Sequence, residues 1–174
     1  MLCNLHTNRV NQEKGAGTLT APTPVDSIDR RILLALNDDP RAPAITLAER
    51  TGLSRNTVQA RLTRLETGGT LRAFERRISP AALGYPMTAF ILTTVTQRKL
   101  QAVADALTAV PEVLEVLGIS GAVDLQVQVV ARDADDLYRI AGRILDIDGV
   151  EQTNTSLVMR QLVNYRLTPL LEQS

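Results

Sequence analysis

Leu47-Ala48-Glu49-Arg50-Thr51-Gly52-Leu53-Ser54-Arg55-Asn56-Thr57-Val58 is the stretch that decides the fold. Ala48, Gly52 and Val58 occupy the spacing of a helix-turn-helix. A small residue lets the second helix pack close, and a glycine four positions on makes the tight left-handed turn. A β-branched residue six further on fixes the next helix in the core. Ser54 stands as the N-cap of that next helix, with Leu53 and Val58 at the two ends of a hydrophobic staple. Val58, Leu62 and Leu65 then recur at helical spacing, and Gly68-Gly69 ends the helix. Its far side shows Asn56, Gln59, Ala60, Thr63 and Arg64, with Thr57 at the edge. Short polar groups of this kind suit a close approach to base edges in a major groove. A plain surface helix is the competing reading, although such a face more often carries Glu and Lys pairs.

Upstream, Asp26 followed by Ile28, Ile32, Ala35 and Leu36 predicts a first helix, ended by Asn37-Asp38-Asp39-Pro40. A short second helix runs through Ile45, Leu47, Ala48 and Arg50 to the turn at Gly52. Downstream, Leu71 to Ile78 sets Arg72, Arg76 and Arg77 among Leu71, Phe74 and Ile78. It reads either as a short β-wing whose arginines clamp phosphates or as a solvated linker. Ser79-Pro80 to Gly84-Tyr85-Pro86 is punctuated like a hinge.

From Met87 the pattern changes to that of an open sheet with helices. A β-branched run over Ala89–Val95 predicts a strand, and Leu100, Val103, Ala104, Leu107 and Val110 predict a helix ending before Pro111. Further strands are expected over Val113–Ile119, Asp124–Ala131 and Val150–Val163, with a helix through Leu137, Ile140, Ala141, Ile144 and Leu145. The order βαββαβ is the ferredoxin-like plan, an antiparallel sheet with both helices on one face. The fold class is therefore α+β. One sheet face is left bare and half-apolar, which favours a symmetric partner and predicts a homodimer.

Charge divides along the same lines. Of 19 basic residues against 19 acidic ones, residues 25–80 hold ten Arg and seven acids, net +3, and residues 81–174 net −4. A basic N-terminal module on an acidic C-terminal one points to a polyanion at one end only. Arginine is the base almost throughout, which favours bidentate contact to phosphate or guanine or reflects a compositional bias. Residues 1–24 have no apolar periodicity and are expected to be a disordered extension.

The same composition excludes several classes. One cysteine, Cys3, and one histidine, His6, cannot supply a Cys/His zinc site or an internal disulfide. Both lie in the extension, remote from any partner for nucleophilic catalysis. Gly15-Ala16-Gly17 follows no strand and opens no helix, so it is not a dinucleotide fingerprint. No apolar run reaches ten residues, and no basic-then-apolar leader begins the chain. The expectation is a cytoplasmic protein that is not an enzyme, with no metal, no cofactor and no membrane partner.

Read in order, these residues resemble the Lrp/AsnC, or feast/famine, family of bacterial transcription regulators, over about residues 25–170. The resemblance rests on Val25-Asp26-Ser27-Ile28-Asp29, on the turn Leu47 to Ser54, and on Leu83-Gly84-Tyr85 at the hinge. It continues with Ser120-Gly121-Ala122-Val123-Asp124 and with Gly149-Val150 followed by Thr153-Asn154-Thr155. It implies a winged helix-turn-helix over residues 25–80 and, over residues 81–174, a βαββαβ domain that dimerises. Family members often assemble further, into octamers, and bind an amino acid near contacts between dimers. The family's ligand loop usually reads Gly, an acid, any residue, then Asp; here Gly121 and Asp124 match and Ala122 replaces the acid. The implied effector residues are Ser120, Gly121, Asp124, Thr153 and Thr155, with Asp124 facing a ligand ammonium. Alternatively, Asp124 starts a strand and the threonines fill a β surface.

The resulting expectation is a sequence-specific regulator of amino-acid metabolism that binds double-stranded DNA at a pseudo-palindromic site. Asn56, Thr57, Gln59, Thr63 and Arg64 would read the groove, and Ser54 would cap the reading helix. Arg55, Arg61, Arg72, Arg76 and Arg77 would neutralise phosphates. The rival is a ligand-sensing oligomer that regulates a partner protein without touching DNA.

Overall fold

The computed structural model describes residues 24–173, so the readings placed on Cys3, His6, Gly15-Ala16-Gly17 and the rest of the N-terminal extension lie outside the described residues. The described residues form two compact units. One runs to Ser79 and resumes at Arg160; the other is Pro80–Met159. The first division falls between Ser79 and Pro80, and the residues from Arg160 onward group with the N-terminal helices.

The helical unit contains α1 (Ser27–Asp38), α2 (Ala44–Thr51) and α3 (Arg55–Thr67). A reciprocal capping box opens α1: the Asp26 carboxylate accepts the Asp29 backbone N–H at 2.9 Å, and the Asp29 carboxylate accepts that of Asp26 at 3.1 Å. Two orphan amides of the first turn are thereby satisfied. At the end of α2, Gly52 sits at φ +64°, a left-handed conformation that any side chain would strain. Ile32, Ala35, Leu47, Ala48 and Val58 then close into one core, so both residues flanking the turn are buried as their spacing requires. Full burial of Ile32, Leu47 and Val58 contributes about 1.5–3 kcal/mol apiece. The short α6 (Thr168–Leu171) packs against α1.

The expected β-wing is absent. Phe74–Arg77 instead form a 3-10 turn, held by Arg76 N–H donating to the Ala73 carbonyl at 3.2 Å and Ile78 N–H donating to that of Glu75 at 3.0 Å. A wing needs a second strand to pair with, and among the described residues of this unit no strand exists. The segment satisfies its own backbone groups locally.

The second unit is a four-stranded antiparallel sheet in the order β2-β3-β1-β4, where β1 is Met87–Val95, β2 Val113–Gly118, β3 Leu125–Ala131 and β4 Val150–Leu157. Two helices, α4 (Leu100–Thr108) and α5 (Ala134–Leu145), lie on one face. Val103, Leu107, Ile140 and Ile144 from these helices bury Ala89, Ile91, Leu125, Val127 and Val129 of the central strands. The βαββαβ expectation is correct. However, β4 ends at Leu157, not Val163, because its partner runs out: Leu157 pairs with Ala89, Val158 N–H donates to Thr88 at 2.9 Å, and Pro86 precedes β1. On the bare face, Phe90 lies between Gln128 and Ser156, and Leu92 between Gln126 and Asn154. Apolar and polar side chains alternate there.

Candidate functional site

The polar helix of the sequence argument is α3. Its N-cap is Ser54, whose hydroxyl accepts the Thr57 N–H at 3.1 Å and shares a hydrogen bond with the Thr57 hydroxyl at 2.8 Å. Val58 and Leu65 are buried beneath it. Arg55, Asn56, Gln59, Ala60, Thr63, Glu66 and Thr67 are exposed, a single stripe at three- and four-residue intervals. Asn56 and Gln59 present amides, the group that pairs bidentately with adenine. Thr63 and Thr67 donate their hydroxyls to the carbonyls of Gln59 and Thr63 at 3.1 and 2.8 Å, so outward they offer acceptor lone pairs and methyl groups. One cation and one anion, Arg55 and Glu66, leave this stripe with no net charge.

Arg61 and Arg64, expected on phosphates and on bases, meet carboxylates in this structure. Both guanidinium groups turn inward to the cap of α1. Arg64 pairs with Asp29, and Arg61 pairs with Asp26 and, at 3.2 Å, with Asp29. The reason is the Asp29 carboxylate, which is fully buried and would be costly without a cation. Asp29 precedes Ile32 by three residues, on the apolar stripe of α1. An acid at such a position calls for buried counter-charge, and that signal was legible in the sequence. The backbone N–H of Asp29, followed by the Arg61 guanidinium, draws the Asp26 carboxyl from 3.8 down to about 2. The same carboxylates raise the Arg61 pKa.

Positive charge remains at the two ends of α3. Arg55 is exposed in its first turn; Arg72, Arg76 and Arg77 are exposed beyond its last, with Arg77 lying 5.5 Å from the Phe74 ring centroid. These are the arginines expected on phosphates, and they keep surface positions.

The residues expected to hold an effector are less well gathered. Asp124 accepts the Val95 N–H at 2.9 Å through Oδ2 and the Gln97 amide at 2.6 Å through Oδ1, so its carboxylate ties off the end of β1. Ser120 and Gly121 are exposed in the preceding loop, and Gly121 adopts φ +132°. Thr153 pairs with Thr93 and Thr155 with Ile91, on β4. Because β1 lies between β3 and β4, two strand spacings of roughly 4.8 Å each separate Asp124 from the threonines. A groove of about 540 Å³ that the sequence did not suggest runs between α4 and β2, lined by Leu100, Ala104, Val113 and Val116 with Asp105 and Glu115.

Comparison with known proteins decides the family. Residues 25–66 match the AsnC-type helix-turn-helix domain, and residues 88–168 match the Lrp/AsnC ligand binding domain. The HTH-type transcriptional regulator FL11 of Pyrococcus horikoshii is 36% identical over 137 residues, 79% of this chain and 91% of that protein. The chain belongs to the Lrp/AsnC family. Its fold is similar to that of AsnC from E. coli, with a TM-score of 0.74 at 26% identity, covering 84% of this chain and all of that one. It is also similar to a feast or famine regulatory protein from M. tuberculosis complexed with L-methionine, with a TM-score of 0.73 at 28% identity, covering 83% and 98%. An Lrp/AsnC protein is a DNA-binding transcriptional regulator with a ligand-binding domain, not an enzyme. Among the described residues no helix is long and apolar enough to cross a membrane.

Proposed function

We propose that this Lrp/AsnC protein reads a pseudo-palindromic operator as a dimer or larger assembly, regulates amino-acid metabolism, and responds to a small amino acid. The observation that carries the reading is the exposed stripe of α3, which has no net charge. Asn56, Gln59 and Thr63 offer hydrogen-bonding groups and methyls to base edges, while Arg55, Arg72, Arg76 and Arg77 flank them for phosphate contact. Two-fold pairing would cover the bare sheet face around Phe90 and Leu92 and set half-sites about one helical turn apart, or a multiple of it. The separation of Asp124 from Thr153 and Thr155 fits an effector site completed by another copy. The relative complexed with L-methionine supports an amino acid as the ligand class.

Selection of bound genomic fragments, with and without single amino acids beginning with L-methionine, tests both halves. Enrichment of symmetric sites, altered by at least one amino acid, is the expected result. For ~6–10 phosphate contacts per dimer, affinity drops ~10³–10⁵-fold between 50 and 200 mM salt. A salt-insensitive profile with no enriched sequence would overturn the DNA reading, and no amino acid altering either recovery or melting would overturn the effector reading.

A further inference from the structure

Two of the six arginines between residues 52 and 77 are not available to DNA in the way their position on α3 implies. Arg61 and Arg64 lie one turn apart on α3, yet both are committed to carboxylates at the first turn of α1. Asp29 is entirely buried; Asp26 is partly exposed and closes the capping box that fixes the direction of α1. These four groups carry no net charge together. They tie the DNA-facing helix to α1 across more than 30 residues of chain.

We propose that Asp26 and Asp29 are specificity-determining positioning residues, which hold Arg61 and Arg64 against α1 and keep two positive charges off the DNA-facing stripe of α3. The inference rests on the DNA-binding reading and deepens it. An arginine free to swing grips the phosphates of any sequence, whereas a neutral amide or methyl rewards only the matching base. Holding two cations inward therefore lowers affinity for random DNA more than for the operator. The widened ratio between the two is what selects a site in a genome full of competitors. A purely structural role for the carboxylates would fix the helix without altering that ratio.

The test measures salt-dependent binding of the full chain to a random-sequence duplex and to a duplex recovered by genomic selection. The double variant Asp26→Asn/Arg61→Gln removes one carboxylate and one cation together. It keeps the Arg64–Asp29 pair, and Asn is as good an N-cap as Asp. Its random-DNA affinity and salt slope are expected to match the wild type. A slope shallower by about 0.9 per protomer would show Arg61 neutralising a phosphate and would overturn the proposal. Asp26→Asn alone is expected to tighten random-DNA binding severalfold and steepen the slope by up to about 0.9 per protomer, with less gain on the selected duplex. Unchanged or weaker random binding, in a variant with wild-type circular dichroism at the temperature of the assay, would overturn it as well. A wild type that binds neither duplex would remove the DNA reading and the inference together, whereas wild-type binding with either contrary variant removes the inference alone.

Discussion

Both units of the molecule bury one carboxylate and hold it with two arginines from a single helix, but they do so to different ends. In the helical unit, fully buried Asp29 takes Arg61 and Arg64 from α3. In the sheet unit, Glu112 takes Arg139 at 2.7 Å and Arg143 at 3.4 Å from α5, and those arginines lower its pKa. The Glu112 side chain keeps about 11% of its surface in water, and Arg139 is shared with Asp136. One pair of arginines thus joins two helices, α3 to α1. The other joins a helix to a sheet edge. The same chemistry would become functional only where, as proposed for α3, the helix that supplies the cations also supplies the recognition face.

The largest expected effect breaks this parallel. Replacing Arg61 and Arg64 together by alanine strands the Asp29 carboxylate in the core of the helical unit, where loss of a buried partner costs about 3–5 kcal/mol. Replacing Arg139 and Arg143 together leaves Glu112 able to reach water, and the loss should stay near about 1–3 kcal/mol. Denaturant unfolding followed by hydrogen exchange separates the two units. Equal losses would mean that burial does not distinguish the two carboxylates.

A smaller effect sharpens the contrast between the helices themselves. Gln59→Ala on the exposed stripe of α3 should relax preference at one or two base pairs by about 1–3 kcal/mol while leaving random-DNA affinity nearly unchanged. Tyr138→Ala, at an exposed position of α5, should alter neither. Competition binding against single-base variants of a selected site reads the difference. Equal weakening on matched and random DNA would remove Gln59 from the reading stripe.

The legibility of these features followed how local they are. The turn at Gly52, the cap at Ser54 and the stripe of α3 each depend on residues within one or two helical turns, and the sequence carried them. The alternation along β1 and β3 located the sheet, because burial on one face imposes a period of two. What failed depended on distant partners. The length of β4 was set by where β1 begins and the missing wing by the lack of a strand to pair with. The pairing of Arg61 and Arg64 likewise follows a carboxylate more than 30 residues away. The effector residues also depend on distant elements: Asp124 precedes β3 and Thr153 lies on β4, with β1 between those strands. Asp29, an acid on an apolar stripe, is the one local signal of the distant pairing with Arg61 and Arg64.

The smallest effect concerns acid. The Asp26 carboxyl is held down to about 2 from 3.8 by the Asp29 backbone N–H and by Arg61. A depressed folded-state value means that the ionised cap favours folding at every pH above 3.8. That support is lost as pH falls through the interval down to about 2, since the unfolded chain takes up the proton first. In the sheet unit, Asp136 and Glu112 are also lowered, Asp136 chiefly by the Arg132 backbone N–H and Glu112 chiefly by Arg139, so both units should weaken in acid. Asp26→Asn separates them. It should flatten the acid limb of the melting curve for the helical unit alone and leave the limb of the sheet unit in place. An unchanged acid limb in both units would mean that the exposed cap contributes to direction and not to stability, and that the tie between α1 and α3 rests on Asp29 alone.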